Sequence, residues 1–378
     1  SVRPDGSGFI RPIAQACPTR LKENTMTPQT QSLAEQNKAQ LAPLRAAMYD
    51  FSHMGVRAAL TAISSPDAVF HACHPFGDLH GAEAFYDTLY GPLFGAVPDL
   101  ERRDYIVTAG PTVEGANWVG CAGSYMGRFT APWLDIPPTG HLMHMRFHEF
   151  YRFEGGQLVE MHCLWDLPEV MMQAKAWPLS SSLGREWHVP GPATQDGLVT
   201  SPYDDTTSRA SCDLVMQALT FMKKYPAQGG PEVMEMPRFW HPKFNWYGPA
   251  GIGSARGIKG FRDWHQIPFI TAMPDRGLYP DETSAHFFAE GPFVAVTGWP
   301  NMAQTISHSG WLGIAPANTK ITLRSLDFWR VEAGKIRENW VLVDLLHVYD
   351  QIGIDTFARM REFNKSRAGF DPDTGRAL

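Results

Sequence analysis

The chain carries one sequence pattern twice. The first copy runs from Arg146 to Asp166 and the second from Arg324 to Asp344, and an offset of 178 positions aligns them without a gap. Similar residues recur at this offset, among them the pairs Phe150 and Phe328, Arg152 and Arg330, Gly156 and Gly334, and Glu160 and Glu338. A match of this length indicates an internal duplication, so the chain is constrained to fold as two similar units.

Each copy has the alternating pattern of a β-hairpin. In the first copy, apolar and polar residues alternate over 144–153 and 158–166, and a Glu-Gly-Gly turn separates the two runs. The period of two in a strand places four residues on one face of the second run, namely Glu160, His162, Leu164 and Asp166. A carboxylate beside large apolar residues is costly to bury without a partner. Asp166 and its equivalent Asp344 are therefore the first candidates for a functional role.

The regions upstream of the two hairpins also correspond. A shift of 176 positions aligns Gly81 with Gly257 and Phe85 with Phe261. In both regions, helical periodicity precedes a short strand, another helix and several antiparallel strands, which predicts an α+β fold. We expect an N-terminal arm over residues 1–30, a first domain over 31–178, a Pro- and Ser-rich linker over 179–209 and a second domain over 210–378. Met26 is a candidate natural start within the arm.

Composition limits the classes of function. Hydrophobic residues make up 44% of the 378 residues and charged residues 19%, which suffices for two packed cores and argues against disorder. The net charge of -6 gives no general reason to bind nucleic acid or an anionic membrane, and no apolar run approaches the length of a membrane span. The five cysteines form no CxxC pair, which favours a reducing cytoplasm over a disulfide framework. A small molecule is the expected ligand.

Several motifs occur in a fixed order. They are a Pro-Asp pair after the last upstream helix of each unit, a Pro-Pro-Thr-Gly segment at 137–140, an Arg-x-x-acid-x-aromatic-Arg strand, a Gly-Lys-Ile-x-Glu-x-Trp segment at 334–340, and the aspartate that follows. This set resembles the SnoaL-like domains of the nuclear transport factor 2-like superfamily, which includes the polyketide aldol cyclases. The resemblance implies two cone-shaped domains, each a curved antiparallel sheet wrapped around helices and a mostly apolar cavity. It also implies an internal pseudo-dimer; the sequence leaves open an additional homodimer.

The resemblance further implies a chemistry. In the similar cyclases, the aspartate corresponding to Asp166 and Asp344 is the acid/base of a cofactor-free aldol reaction, and related members use an Asp/His pair for dehydration, isomerisation or elimination. The two copies differ where such chemistry would take place, because the first has His162 where the second has Trp340. Neutral imidazole exchanges protons near working pH, whereas apolar side chains do not. The first domain is therefore predicted to be active, with four candidate catalytic residues: Asp166, His162, His144 and His71.

The second domain is predicted to be structural or to shape the substrate site. Candidate substrate-binding residues in the first domain are its remaining pocket-forming histidines, aromatic residues and first-helix polar groups: His74, His148, Trp118, Trp133, Asp50 and His53. Alternatives stay open for several residues. Asp166 could cap the helix that begins at Leu167-Pro168, His162 could be a core histidine, and the tryptophans could be core residues. Glu149 and Asp327 are interpreted as structural ion-pair partners, either of the flanking arginines or of a residue on the next strand.

The sequence thus predicts a cofactor-independent acid/base enzyme that acts at carbon next to a carbonyl group. Aldol cyclisation and a dehydratase or lyase reaction both fit, on a small apolar, aromatic or polyketide-like substrate. No metal is expected, since His144 and His148 lie ~13 Å apart along a strand, too far for one ion. The rival hypothesis is a non-catalytic ligand-binding or assembly module of the same fold. A third is metal-assisted hydrolysis by the histidines.

Overall fold

Helices open the first repeat, and a six-stranded sheet completes it. The structure is a computed structural model that describes residues 31–378, so the predicted arm and the candidate start at Met26 lie outside the described residues. The helices of this repeat are α1 (Leu33–Tyr49), α2 (His53–Ile63), α3 (Ala82–Phe85), α4 (Gly91–Ala96) and α5 (Leu167–Gln173), and a π-helical turn at Tyr86–Tyr90 joins α3 to α4. The strands are β1 (Ser64–Ala72), β2 (Gly77–His80), β3 (Glu101–Pro111), β4 (Asn117–Arg128), β5 (Leu142–Glu154) and β6 (Gln157–Trp165).

The second repeat follows the same order of helices and main-sheet strands, with two further strands and one further helix. Its helices are α6 (Asp205–Met222), α7 (Met236–Phe239), α8 (Gly257–Phe261), α9 (Ile267–Ala272), α10 (Leu345–Gln351) and α11 (Thr356–Asn364). Its strands are β7 (Trp240–Tyr247), β8 (Ala255–Arg256), β9 (His286–Glu290), β10 (Phe293–Thr297), β11 (Met302–Ile306), β12 (Thr319–Leu323), β13 (Ser325–Glu332) and β14 (Lys335–Val343). Shorter helical turns cover Pro231–Met234, Arg262–Gln266 and Pro280–Glu282.

The two main sheets have matching topologies. The strand order is β2-β1-β6-β5-β4-β3 in the first repeat and β8-β7-β14-β13-β10-β9 in the second, while β11 and β12 form a separate two-stranded sheet. In each main sheet one pair is parallel, β1 with β6 and β7 with β14, and the other pairs are antiparallel. Two curved sheets with helices confirm the predicted α+β fold and the internal duplication.

Local sequence explains how these elements begin and turn. At the start of α1, Ser32 Oγ accepts a hydrogen bond from Glu35 N at 3.3 Å, and the Glu35 carboxylate accepts one from Ser32 N at 2.8 Å. This reciprocal capping box pairs two otherwise free N–H groups. The β5–β6 hairpin turns at Gly155 and Gly156, with φ of 56° and 79°. Positive φ at both central residues gives the turn that matches the twist of the strands, so the predicted hairpin is confirmed.

The two sheets pack face to face. Phe150 of β5 stacks on Phe328 of β13 with ring centroids 5.0 Å apart, and these residues occupy equivalent positions, so an approximate twofold axis passes between them. His148 Nδ1 lies 2.6 Å from the carbonyl oxygen of Leu326 and donates to it. A Cβ added to Gly120 would lie 2.9 Å from the Phe328 ring, so only glycine permits this close approach.

The segment between the repeats follows an extended path across both of them. Residues 174–204 contain no helix or sheet strand, yet Val107 N donates to Gly197 O at 2.8 Å and Trp340 Nε1 donates to Pro190 O at 2.9 Å. The linker therefore contacts both halves of the described chain. The domain limits drawn from the sequence stay predictions. Within residues 31–378, no helix has both the length and the apolar character needed to cross a bilayer.

Candidate active site

The strands β5 and β13 divide their side chains between two faces. Even-numbered residues such as Phe150 and Phe328 point toward the other repeat, whereas odd-numbered residues point into the interior of their own cone. Glu149 and Asp327 occupy equivalent positions on these interior faces. The interior of each repeat therefore holds one strand carboxylate, and the surroundings of these two groups differ.

In the first repeat, Glu149 is bound on every side. Arg102 forms a buried ion pair with it, and Tyr151 Oη donates to Glu149 Oε2 at 2.6 Å. Tyr125 Oη and Trp165 Nε1 each donate to Glu149 Oε1 at 2.9 Å. All five side chains are at most 4% exposed. These rings and the guanidinium occupy the interior that the sequence led us to expect as the active cavity.

In the second repeat, smaller residues replace part of this packing. Val343 and Val341 stand where the first repeat has Trp165 and Cys163. A cavity of about 80 Å³ lies beside them. It adjoins a cavity of about 240 Å³, and the two share Arg276, Asp327 and Trp329 in their walls. Six aromatic residues contribute to the inner wall: Trp240, Trp246, Phe261, Phe269, Trp311 and Trp329.

Burial controls the ionisation of the polar groups in this cavity. It raises the pKa of Asp327 to about 7, even though Ser325 Oγ donates to Asp327 Oδ1 at 2.6 Å and Arg276 lies near it. Burial also lowers the pKa of His265 to about 3, with Arg276 adding to the effect. The cavity therefore holds a carboxyl that exchanges its proton near neutral pH, a neutral imidazole and a guanidinium.

Several polar atoms of the residues that line this cavity have no partner among the described residues. They are His265 Nδ1, Arg276 Nε and the indole nitrogens of Trp240, Trp311 and Trp329. Buried polar groups are almost always hydrogen-bonded, to protein or to water. A concave, mostly apolar space with a few polar groups is the usual form of a small-molecule site.

Asp166, the first candidate from the sequence, lies between the repeats. Its carboxylate accepts from Arg146 Nη2 at 3.0 Å and from Ala250 N, in the second repeat, at 2.9 Å. Burial raises the pKa of Asp166 to about 7, and the Arg146 cation opposes that shift. The equivalent Asp344 accepts from Arg324 Nη1 at 3.2 Å.

The contact across the repeats occurs twice. Asp344 Oδ2 accepts from His74 N at 3.0 Å, and His74 is the residue equivalent to Ala250. Each aspartate thus binds an N–H group of the opposite repeat, and Asp344 also accepts from His347 N at the start of α10, as a helix cap does. Reciprocal contacts of this kind support a role in joining the repeats for both residues.

The structure brings His71 and His162 together. They are register partners on β1 and β6, with ring centroids 5.2 Å apart, and Trp118 packs against His162 at 5.0 Å. His162 Nδ1 lies 2.6 Å from Thr297 Oγ1 and its Nε2 lies 2.9 Å from Glu160 Oε1. Burial lowers the pKa of His162 to about 4. These groups share the inter-repeat face with Asp166, although the Asp166 carboxylate has other partners.

The remaining candidates are dispersed. His144 Nδ1 lies 3.1 Å from Glu169 Oε1, and His148 is buried between the sheets with a pKa lowered to about 3 by that burial. The His74 ring stacks on Phe357, Trp133 packs against Trp165, and Trp340 packs against Tyr247. On the first helices, Asp50 ends α1 in an exposed position, and His53 Nδ1 lies 2.6 Å from Tyr86 Oη.

The sequence interpretation did not single out Arg276 or His265, and it treated Asp327 as structural. It paired Asp327 with a flanking arginine, but the structure places that carboxylate beside Ser325 and Arg276. The alternation of the strand was the available signal. Residues three apart on a strand point to opposite faces, so Asp327 cannot share a face with Arg324 or Arg330.

Comparison with known proteins gives a family assignment. The SnoaL-like polyketide cyclase model matches residues 42–174 and 228–352. Among solved structures, a Jannaschia protein classed as a SnoaL-like polyketide cyclase is 24% identical, with a TM-score of 0.33, over 38% of this chain and 95% of its own. IdmH from Streptomyces antibioticus, classed as a polyketide cyclase, is 20% identical, with a TM-score of 0.31, over 37% of this chain and 99% of its own.

A third solved structure is an NTF2-like protein from Burkholderia thailandensis. It is 16% identical, with a TM-score of 0.29, over 38% of this chain and 98% of its own. No curated protein matches the sequence. The family model matches both repeats and, in total, more than half of the chain. The protein therefore belongs to the SnoaL-like polyketide cyclase family, with two of its domains in tandem.

Proposed function

We propose that the cavity of the second repeat is a cofactor-independent acid/base site and that Asp327 is its catalytic group. The proposed substrate is a small apolar, aromatic or polyketide-like carbonyl compound, and the proposed reaction is cyclase-like proton transfer at the carbon next to the carbonyl. The observation that carries the proposal is a strand carboxyl with a pKa raised to about 7 in the wall of a cavity lined by aromatic residues. A base with a pKa near the working pH is the most effective.

Each polar group of the cavity has a role in this mechanism. Ionised Asp327 removes a proton from the carbon beside the carbonyl, and the electron pair moves onto the carbonyl oxygen as an enolate. The Arg276 guanidinium, which shares the cavity wall, stabilises that negative charge. In an aldol step the enolate carbon then bonds to a second carbonyl, whose oxygen takes the proton back from Asp327. His265 is neutral and offers a donor or an acceptor for a substrate oxygen.

The sequence-based hypothesis placed the same chemistry at Asp166 and His162. The Asp166 carboxyl has a similarly raised pKa, but Arg146 and the main-chain N–H group of Ala250 already bind it. In the first repeat the equivalent interior carboxylate, Glu149, is bound by four side chains. Asp327 has one hydroxyl donor and lines the cavity, which supports it over both alternatives.

A generic proton-transfer probe tests the proposal before the natural substrate is known. Nitrobenzisoxazole loses its C–H proton to a buried base while its N–O bond breaks, which releases a coloured phenolate. We expect the full chain to accelerate this elimination and Asp327→Asn to lower the rate by about 100-fold or more, the usual contribution of a positioned base. Circular dichroism checks that the variant is folded.

Asp166→Asn is the matched control, since both aspartates are buried with raised pKa values and only Asp327 lines the cavity. We expect this variant to keep a rate within a few-fold of the unsubstituted chain. A large loss in Asp166→Asn with full activity in Asp327→Asn would transfer the site to the first repeat. Binding of aromatic ketones without any Asp327-dependent rate would favour the non-catalytic binding module.

A further inference from the structure

A second group of polar side chains lies on the inter-repeat face of the first sheet, away from the proposed cavity. His71 Nε2 lies 3.8 Å from Glu160 Oε1, and His162 Nε2 lies 2.9 Å from the same oxygen. One atom from each of these three side chains lies within 4.8 Å of the others. Two imidazoles and one carboxylate that converge on a point form a ligand set for first-row transition metals.

Strand register produces this convergence. His71 and His162 are direct partners in the parallel pairing of β1 with β6, and Glu160 lies two residues before His162 on the same face. Because strands hold their side chains at fixed spacings, the three groups meet without contributions from flexible loops. Rigid elements give more precise ligand geometry than loops do.

Each histidine also has an outer hydrogen-bond partner. His71 Nδ1 lies 2.8 Å from Asp78 Oδ1, and His162 Nδ1 lies 2.6 Å from the hydroxyl of Thr297 in the second repeat. A carboxylate only accepts, so Nδ1 of His71 carries the proton and Nε2 points toward Glu160. Metal-binding histidines typically use their second nitrogen in this way, which fixes the tautomer that offers a lone pair to the ion.

The contacts around Glu160 call for a cation. When the His71 ring is neutral and its proton is on Nδ1, the lone pair of His71 Nε2 points toward Glu160 Oε1. Two hydrogen-bond acceptors then face each other. A shared cation removes that conflict. Arg152 binds the other carboxylate oxygen, Nε to Oε2 at 2.7 Å, so Oε1 remains directed at the two imidazoles.

The second repeat provides an internal comparison. The equivalent positions are Tyr247, Glu338 and Trp340, and Arg330 binds Glu338 there as Arg152 binds Glu160. Tyr247 Oη donates to Glu338 Oε1 at 3.1 Å, and the Trp340 ring packs on Tyr247. The arginine–glutamate pair and the packing thus persist without imidazoles, so the structural role alone does not account for His71 and His162.

We propose that His71 Nε2, His162 Nε2 and the Glu160 carboxylate bind one divalent first-row transition-metal ion, with Zn²⁺ as the reference ion. Bringing the three atoms to metal-bond distances takes small side-chain rotations, and the ion replaces the proton that His162 and Glu160 share. The side chains of His71 and Glu160 are 21% and 24% exposed, which leaves a path for the ion and a water ligand. The indoles of Trp118 and Trp299 cover the other side of His162.

Metal analysis of the full chain tests this site. After dialysis against micromolar Zn²⁺ and then buffer, we expect one ion per chain by elemental analysis, and a visible spectrum when Co²⁺ replaces Zn²⁺. His71→Tyr introduces the residue found in the second repeat and should abolish stoichiometric binding. Asp78→Asn removes only the outer partner and should weaken Zn²⁺ binding about 10- to 100-fold.

Glu338→Gln is the control in the second repeat and should keep the ion, whereas Glu160→Gln should lose it. Thermal melting of each variant separates lost ligands from lost folding. Absence of Zn²⁺ from the unsubstituted chain, or equal Zn²⁺ in His71→Tyr, would overturn the proposal. The nitrobenzisoxazole rate reports on the other cavity, so the two proposals fail independently.

Discussion

The two repeats share a backbone plan and differ in what fills it. In the first, Glu149 is bound by Arg102, two tyrosines and Trp165. In the second, the equivalent Asp327 has one hydroxyl donor and lies in a cavity wall. The difference teaches that, after duplication, one copy can fill the surroundings of its strand carboxylate with hydrogen-bonded side chains while the other keeps a cavity beside it.

The largest expected effect tests the solid interior. Arg102→Met should lower the free energy of unfolding by about 3–5 kcal/mol, because it leaves Glu149 buried without its counter-charge. Arg276→Met in the second repeat should cost far less, since the burial of Arg276 already lowers its pKa. Urea unfolding of both variants measures the difference. Equal losses would mean that the two interiors are energetically alike.

The next effect concerns the aromatic contact between the two repeats. Phe150→Ala and Phe328→Ala each remove one ring of the stacked pair on the approximate twofold axis. Both should destabilise the chain by about 3 kcal/mol, the usual cost of deleting a buried aromatic ring. Because the rings contact each other, the double variant should lose less than the two single losses combined. Full additivity in calorimetry would argue against the stacked contact.

A single exchange should make the second interior resemble the first. Val343→Trp introduces the residue found at Trp165 and should fill the cavity beside Asp327. We expect the nitrobenzisoxazole rate to fall about 100-fold, equivalent to about 2.7 kcal/mol, as the probe loses access to the base. Val331→Trp, on the same hairpin outside the cavity wall, is the control and should retain the rate. Unchanged turnover in Val343→Trp would place the reaction elsewhere.

The last prediction is a pH dependence. The pKa of Asp327 is raised to about 7. Between about pH 4 and pH 7 the folded chain therefore binds a proton that the unfolded chain does not, and the free energy of unfolding falls as the pH rises through this range. Asp327→Asn stays neutral, so it should match the unsubstituted chain at pH 4 and exceed its unfolding free energy by about 4 kcal/mol at pH 8.

Urea unfolding at the two pH values measures this shift. A gain for Asp327→Asn that did not grow with pH would contradict the raised pKa. The elimination rate of the unsubstituted chain should rise through about pH 7 as Asp327 ionises.

Much of the fold followed from the sequence. The glycine turns, the strand alternation and the constant offset are local signals, and they predicted the hairpins and the duplication. The cavity beside Asp327 was harder to predict from the sequence. The space beside Asp327 depends on Val343 and on distant helices packed against the sheet, and packing of this kind leaves no periodic signal in one sequence.

Tertiary packing also limited what the sequence could predict for the sheet face that carries Asp166. Alternation correctly placed Glu160, His162 and Asp166 together, but it could not tell whether that face lined a cavity or met the other repeat. The proximity of His71 to His162 depends on a parallel pairing between strands far apart in the chain. Long-range register of that kind is set by tertiary packing rather than by local sequence.

The location of a bound aromatic ketone tests the central claim most directly. A crystal structure of the full chain grown with acetonaphthone would give that location. Our account predicts the ketone in the second repeat, with its carbonyl oxygen near Arg276 and its methyl carbon facing Asp327. A ketone bound beside Asp166, or within the first repeat, would contradict the account.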